Sequence, residues 1–435
     1  MAADASSRFG TAVKDGIAVN GVRMALMPSL STAWLISSEK FMAKSGINLL
    51  KLRASYGLSG NDDIGNYTSR QTYGSQNLLG MQGLVRTGIA NPQLQWETSK
   101  KINAGIDFAI LNERLSISLD AYQNTTSNML VYQDLNTTTG FSSVITNGGS
   151  MRNNGIELSV TARVINQNSF KWDLGFNISK NKSNIISVPN GQFTTNYAGA
   201  TIITANGQDA NLFYGYVAKG VFATDAEAGA ANLSKKNTNG TFSNFNAGDI
   251  RFADVNGDKI IDENDRQVIG NPNADFTGGI TNKIIYKRFE LNALFTFSKG
   301  NDVYNYMRYR LESMAGIENQ LSAVINRWHG LGQITDMPKA TFGDPMGNSR
   351  FSNRWIEDGS YFRLRSISLQ YYIPLKSGVL HNATIYATGT NLFTLTKYKG
   401  YDPEFSAATS IFAQGIDTGL DPQFKSVIFG VRFGL

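Results

Sequence analysis

Residues Ile156–Lys180 read IELSVTARVINQNSFKWDLGFNISK. In the first arm Ile156, Leu158, Val160, Ala162 and Val164 alternate with Glu157, Ser159, Thr161 and Arg163. After a polar turn at Asn166–Ser169 the alternation resumes, with Phe170, Trp172, Leu174, Phe176 and Ile178 against Lys171, Asp173, Gly175, Asn177 and Ser179. Successive side chains on a strand point to opposite faces, so each arm has one apolar and one polar face. Each arm is about 9–11 residues long, the length a tilted strand needs to cross a bilayer. A soluble sandwich would alternate in the same way, so the decision rests on how many such hairpins there are and how they are joined.

Working outward, the same pattern predicts strands over Val22–Leu35, around Leu50–Tyr56, over Ile102–Ile110 and over Leu115–Ala121. Beyond the opening hairpin it predicts Phe276–Tyr286, Phe289–Phe297, Tyr361–Ile373, Ala383–Gly389 and Val427–Leu435. A phase slip between Leu364 and Ile367 reads as a bulge. The total is about eleven strands, and their connections alternate short and long. Connections near 36–46, 111–114, 165–169, 287–288 and 375–382 are short; those near 59–95, 125–150, 183–275, 300–360 and 394–425 are long. A sandwich has no reason to gather its long loops at one end, whereas an outer-membrane barrel has short periplasmic turns and long extracellular loops. Trp34, Trp96, Phe170, Trp172, Tyr286 and Tyr371 near strand ends suit interfacial girdles. An odd strand count beginning with a downward strand places the start of the chain outside the cell. Since bacterial barrels have even counts, the chain reads as the C-terminal half of one.

Composition narrows the function. No run of about 18 apolar residues marks a transmembrane helix, which leaves a barrel open because only half of a barrel strand faces lipid. The net charge of +6 is spread over 435 residues without a basic block, which argues against a nucleic-acid partner. Cysteine is absent and there are only 2 histidines, His329 and His381, neither beside a glycine-flanked serine. No nucleophile–base pair is evident, and a carboxylate pair such as Asp62–Asp63 reads as a solvated loop.

Several stretches resemble the SusC/RagA family of TonB-linked outer-membrane proteins of Bacteroidetes. They are NPQLQWETSK at 91–100 followed by Ile106–Phe108 and Arg114–Leu115, LKLRASYG at 50–57, SYFRLRSISL at 360–369, and GTNLFTL at 389–395 with GYDPE at 400–404. The resemblance spans nearly the whole chain in the family's order. It implies an all-β fold in which residues 1–435 form the C-terminal half of a 22-stranded transmembrane β-barrel. It also implies import of oligosaccharides or peptides through the cell outer membrane, with a SusD-like lipoprotein as lid and the TonB complex as energy source. The plug domain, the TonB-contacting segment and the signal would lie upstream of Met1. A siderophore or haem receptor is the nearest alternative, disfavoured by the few histidines. A non-transporting adhesin or structural barrel and a soluble carbohydrate-binding β protein are the others. The resemblance further implies a terminal aromatic read during assembly, and Leu435 departs from it.

Two sets of residues are candidate sites. In DVNGDKIIDEND at 254–265, Asp254, Asn256, Asp258, Asp262 and Asp265, with the Ile260 carbonyl, match the oxygen donors of an EF-hand loop. Such a cluster of carboxylates repels itself unless a hard cation such as Ca²⁺ lies between them, here in a structural role. Lys259 stands at the position usually held by glycine and would have to adopt positive φ. Tyr304, Tyr306, Tyr309, Trp328 and Trp355 lie in a long extracellular connection, where they could stack on sugars, contact the lid, or pack the loop's own core.

Overall fold

A computed structural model of the chain describes residues 6–13, 24–61, 63, 68–375, 381–405 and 413–434. Val22, Asp62 and Leu435, singled out above, lie outside the described residues. The dominant element is one twelve-stranded sheet in which each strand pairs with the next in chain order. Its strands are β1 (Ser6–Val13), β2 (Met24–Leu35), β3 (Ile47–Asn61), β4 (Glu97–Ile110), β5 (Leu115–Asp134) and β6 (Ser143–Asn166). They continue as β7 (Phe170–Ser187), β8 (Phe276–Tyr286), β9 (Phe289–Lys299), β10 (Tyr361–Pro374), β11 (Asn382–Thr396) and β12 (Ser426–Gly434). All pairings in this sheet are antiparallel.

Eleven of these strands coincide with the expected ones, and β1 precedes them. Twelve is an even number, so the parity argument for the position of the chain's start does not hold. The opening hairpin is β6–β7, and the bulge in β10 falls at Arg365, where the register slips between Leu364 and Ser366.

Strand-by-strand antiparallel pairing sends every second connection to the same end, so the long loops share one end. The connection expected over 125–150 is mostly strand instead: β5 runs to Asp134 and β6 starts at Ser143. Where a strand rises out of lipid both faces are wet and alternation vanishes, but its backbone pairing can continue. Within the long connection before β4, a hairpin pairs Tyr73–Leu78 with Met81–Arg86.

Cross-strand register sorts the two faces. Leu52, Ile106, Leu119 and Leu158 lie opposite one another across four strands. Leu52, Ile106 and Leu119 remain 37–42% exposed although they sit mid-strand. A sandwich would have covered this face with a second sheet; here it is bare, as lipid contact requires. At the short-turn end Phe170 meets Tyr286 edge-on at 6.4 Å and Phe289 meets Tyr371 at 4.7 Å. This is one aromatic belt of the kind that sits at headgroup level.

Candidate functional site

The polar face carries its own cross-strand row: Arg53, Gly105, Asp120 and Glu157. Arg53 binds Asp107 through two hydrogen bonds of 2.8 and 2.9 Å and reaches Asp120 at 2.9 Å. Ser118 donates to Asp107 at 2.8 Å. Gly105 makes this possible, because a Cβ there would collide with both Asp120 and the Arg53 guanidinium. Arg53, Gly105 and Asp120, with Ser31, Tyr122 and Glu157, line a groove of about 500 Å³ on the lumen side.

The long connections fold into a cap. A four-stranded sheet of Gln192–Tyr197, Ala200–Ala205, Leu212–Gly215 and Gln267–Gly270 is joined by a three-stranded one of Ile356–Asp358, Asp302–Asn305 and Ile416–Asp417. Ile202, Phe213, Tyr304, Phe351, Trp355 and Ile416 share one core, so three different connections are knitted together. A second core gathers Tyr216, Phe222, Phe245, Ile250, Phe252 and Ile261.

Tyr304 and Trp355 are both 0% exposed, so they are packing residues with no face left for a ligand, contrary to the stacking role considered for them. Tyr306 and Tyr309 are half-buried, stack on each other at 5.9 Å and pack against the same core. Trp328 is half-buried elsewhere in the cap and lies over Gly248. Burial pushes the Tyr304 hydroxyl well up, and that of Tyr309 up as well. Beside them Arg308 pairs with Glu357 at 2.6 Å and Glu312 at 3.0 Å. Burial, reinforced by Arg308, pushes the Arg354 guanidinium down to about 10.

The loop 254–265 is closed by its own side chains. Asp254 accepts from the Gly257 and Lys259 amides at 2.7 and 3.1 Å, and Asp258 from the Ile260 amide at 2.8 Å. Asp265 is fully buried and accepts from the Val255 and Asp262 amides at 2.7 and 2.9 Å, tying the loop's ends together. Asp262 caps the short turn Glu263–Asp265, accepting from the Asn264 amide at 2.8 Å. Lys259 has φ 67°, the left-handed conformation its position called for. Among the described residues no three carboxylate or histidine side chains converge as a metal-ligand group.

Beside this loop lies a cavity of about 480 Å³, lined among others by Tyr214, Lys235, Lys236, Asp262, Glu263, Arg266 and Arg350. The Arg350 guanidinium lies 4.7 Å from the ring centres of both Tyr216 and Phe252. It donates to the Gly347 carbonyl at 2.8 Å and the Met346 carbonyl at 2.7 Å. Gly347 (φ 73°) wraps the guanidinium so closely that a Cβ would strike it. The cavity went unread in the sequence because it draws on segments near 214, 235, 262 and 350 that carry no shared local signal.

A long antiparallel sheet with a bare apolar face, a polar lumen face, one aromatic belt and a loop cap at one end defines the barrel of an outer-membrane protein. Residues 4–258 match the family of TonB dependent receptor-like β-barrels. The chain is 34% identical over 434 residues to TonB-dependent receptor P3 of Formosa agariphila, covering 94% of this chain and 42% of that protein. It is 28% identical to TonB-dependent receptor SusC of Bacteroides thetaiotaomicron, covering 98% of this chain and 41% of that one. The solved structure of the RagAB peptide transporter superimposes with a TM-score of 0.79 at 25% identity, covering 96% of this chain and 44% of that chain. The chain therefore belongs to the TonB-dependent receptors and is SusC/RagA-like, an outer-membrane protein. It spans less than half the length of the relatives it matches.

Proposed function

We propose that residues 1–435 are the C-terminal barrel portion of a receptor that imports oligosaccharides or peptides without chemical change. On this reading the TonB complex drives import and a SusD-like lipoprotein covers the loop cap. The observation that carries the lid is an unusually apolar exposed segment. Ile317, Ile325, Leu331, Ile334 and Phe342 are 68–94% exposed around a small core of Met314, Val324 and Met337. Apolar side chains concentrated in this way on a loop otherwise rich in polar groups suit a protein partner. The test is co-purification of the lipoprotein with the receptor from detergent-solubilised outer membranes. Ile334→Asp combined with Phe342→Asp is expected to lose the lipoprotein while leaving heat-modifiable barrel intact. Undiminished recovery would reject the docking site.

The same reading includes a structural Ca²⁺ in the loop of Asp254, Asn256, Asp258, Ile260, Asp262 and Asp265. The left-handed Lys259 supports it, since the chain takes a strained conformation at the position where an EF-hand loop turns sharply. At about 100-fold excess over its dissociation constant a bound ion stabilises by about 2.7 kcal/mol. Melting of the receptor is expected to shift up with Ca²⁺, to fall with EGTA, and to be indifferent to both in Asp254→Asn. Equal melting of the unaltered protein with and without Ca²⁺ would leave the loop held by its hydrogen bonds alone.

A further inference from the structure

The cavity between the loop 254–265 and Arg350 is lined by more cations than carboxylates. Four cationic side chains line it (Lys235, Lys236, Arg266 and Arg350) against two carboxylates, Asp262 and Glu263. Glu263 is already taken by Arg266 at 3.0 Å. Lys235 donates to the Pro345 carbonyl at 2.6 Å, a neutral partner. Among the described residues Lys236 forms no ion pair, and Arg350 has, of the carboxylates, only Asp344 near enough to act on its charge, outside ion-pair distance. Arg350 is also the most firmly oriented of the four, clamped by two carbonyls and two rings. Gathering four cations against two carboxylates is unfavourable unless an anion completes the site, and the ammonium of Lys236 and the Arg350 donors not taken by the two carbonyls suit a carboxylate or sulfate.

We propose that this cavity is a binding site for an acidic oligosaccharide, one whose sugar rings bear carboxylate or sulfate groups. This names a substrate class for the import reading and rests on it. The volume falls within the range of about 300–1,000 Å³ usual for small-ligand sites. A peptide held through its backbone needs an open strand edge. Of the strands that line the cavity, Ala200–Ala205 and Leu212–Gly215 are the inner strands of their sheet, and Ser234–Lys236 pairs with Phe242–Asn244 on one side and is bridged at Ser234 to Ile260 on the other, which leaves no extended free edge. Recognition is therefore left to side chains: the half-buried Tyr214 ring as an apolar surface and the four cations as anion partners. Asp262 and Glu263 make the cavity's wall out of the end of the aspartate-rich loop, so the order of that loop sets the position of Arg266.

The experiment is calorimetric titration of the complete receptor, purified from outer membranes in detergent, with four probes. These are tri-galacturonate, a sulfated carrageenan oligosaccharide, neutral maltotriose and tri-glutamate. One or both acidic sugars are expected to bind at least about tenfold tighter than maltotriose and tri-glutamate, a difference of about 1.4 kcal/mol. Arg350→Gln and, independently, the exposed Lys236→Gln are each expected to weaken that binding, and Lys236→Gln tests the site without disturbing the packed guanidinium. Comparable binding of maltotriose, preference for tri-glutamate, or acidic-sugar binding unchanged in both variants would each overturn the proposal. Growth on the acidic sugar with and without a functional TonB complex separates the two readings. TonB-dependent uptake that is unaltered in both variants rejects the cavity and keeps import, whereas variant-sensitive binding without TonB-dependent uptake does the reverse.

Discussion

Arg363 is 2% exposed at the top of β10, a depth at which a lone charge would be very unfavourable. It is compensated by Asp402 and by Glu404, the latter at 2.9 Å, with Thr394 accepting from Nε at 2.9 Å. Arg365, the bulge residue, also reaches Glu404. Arg363→Met would leave Asp402 buried without its cation, and breaking such a pair costs about 3–5 kcal/mol. The expected outcome is protease cleavage within 397–425 in the variant but not in the parent, with Arg363→Met/Asp402→Asn partly protected. Asp302 makes a pH-dependent case. Burial, with Asp358 and Asp275 nearby, holds its carboxyl above the ordinary aspartate range, and the Asn271 amide at 2.8 Å offsets this only in part. The folded cap thus binds that proton more tightly than the unfolded chain does. Its contribution to stability is full below the unfolded aspartate pKa and is lost as pH rises through the raised value. The melting advantage of Asp302→Asn over the parent is expected to grow from pH 4 to pH 7, and a constant difference would refute this. Neither residue announced itself in the sequence, because an arginine in SYFRLRSISL looks like any polar strand residue until its partners arrive from another loop.

The strands were the most legible elements. Ile156–Val164 and Phe170–Ile178 alternate without a break because lipid on one side and lumen on the other impose a two-residue period. Leu364 and Ile367 even betrayed the bulge at Arg365. Outside the membrane that period disappears, so Thr125–Asp134 and Ser143–Ser150 read as loop although they pair within one ladder. The face assignment makes a direct prediction. Val160→Arg puts a charge on the lipid face at a cost of about 2–4 kcal/mol near the midplane, whereas Ser159→Arg faces the lumen. Heat-modifiable, membrane-inserted protein is expected from Ser159→Arg and much less from Val160→Arg. Equal assembly of the two would contradict the barrel orientation.

At the scale of the molecule, membrane strands and cap differ in what determines them. The strand order follows from chain order, each strand beside the last, so it could be inferred from alternation and connection lengths alone. The cap could not, since its contacts are non-local. The Ala218 amide donates to Asn353, 135 residues away. Tyr304 came under suspicion as a ligand platform because an aromatic in a polar loop looks exposed, yet it is a keystone packed against Phe351 at 4.9 Å. For the loop 254–265 the spacing of oxygens was plain, and so was the backbone twist demanded of Lys259.

A core shared by three connections also dictates an order of events during biogenesis. Tyr304 can meet Phe213 and Ile416 only once β7 to β12 have brought all three connections to the same end. Closing such distant contacts carries an entropic cost that grows with the intervening chain and makes their formation slow. The cap is therefore expected to form late, after the strands that carry its connections have paired. It condenses on the far side of the membrane, where no cytoplasmic chaperone can reach it.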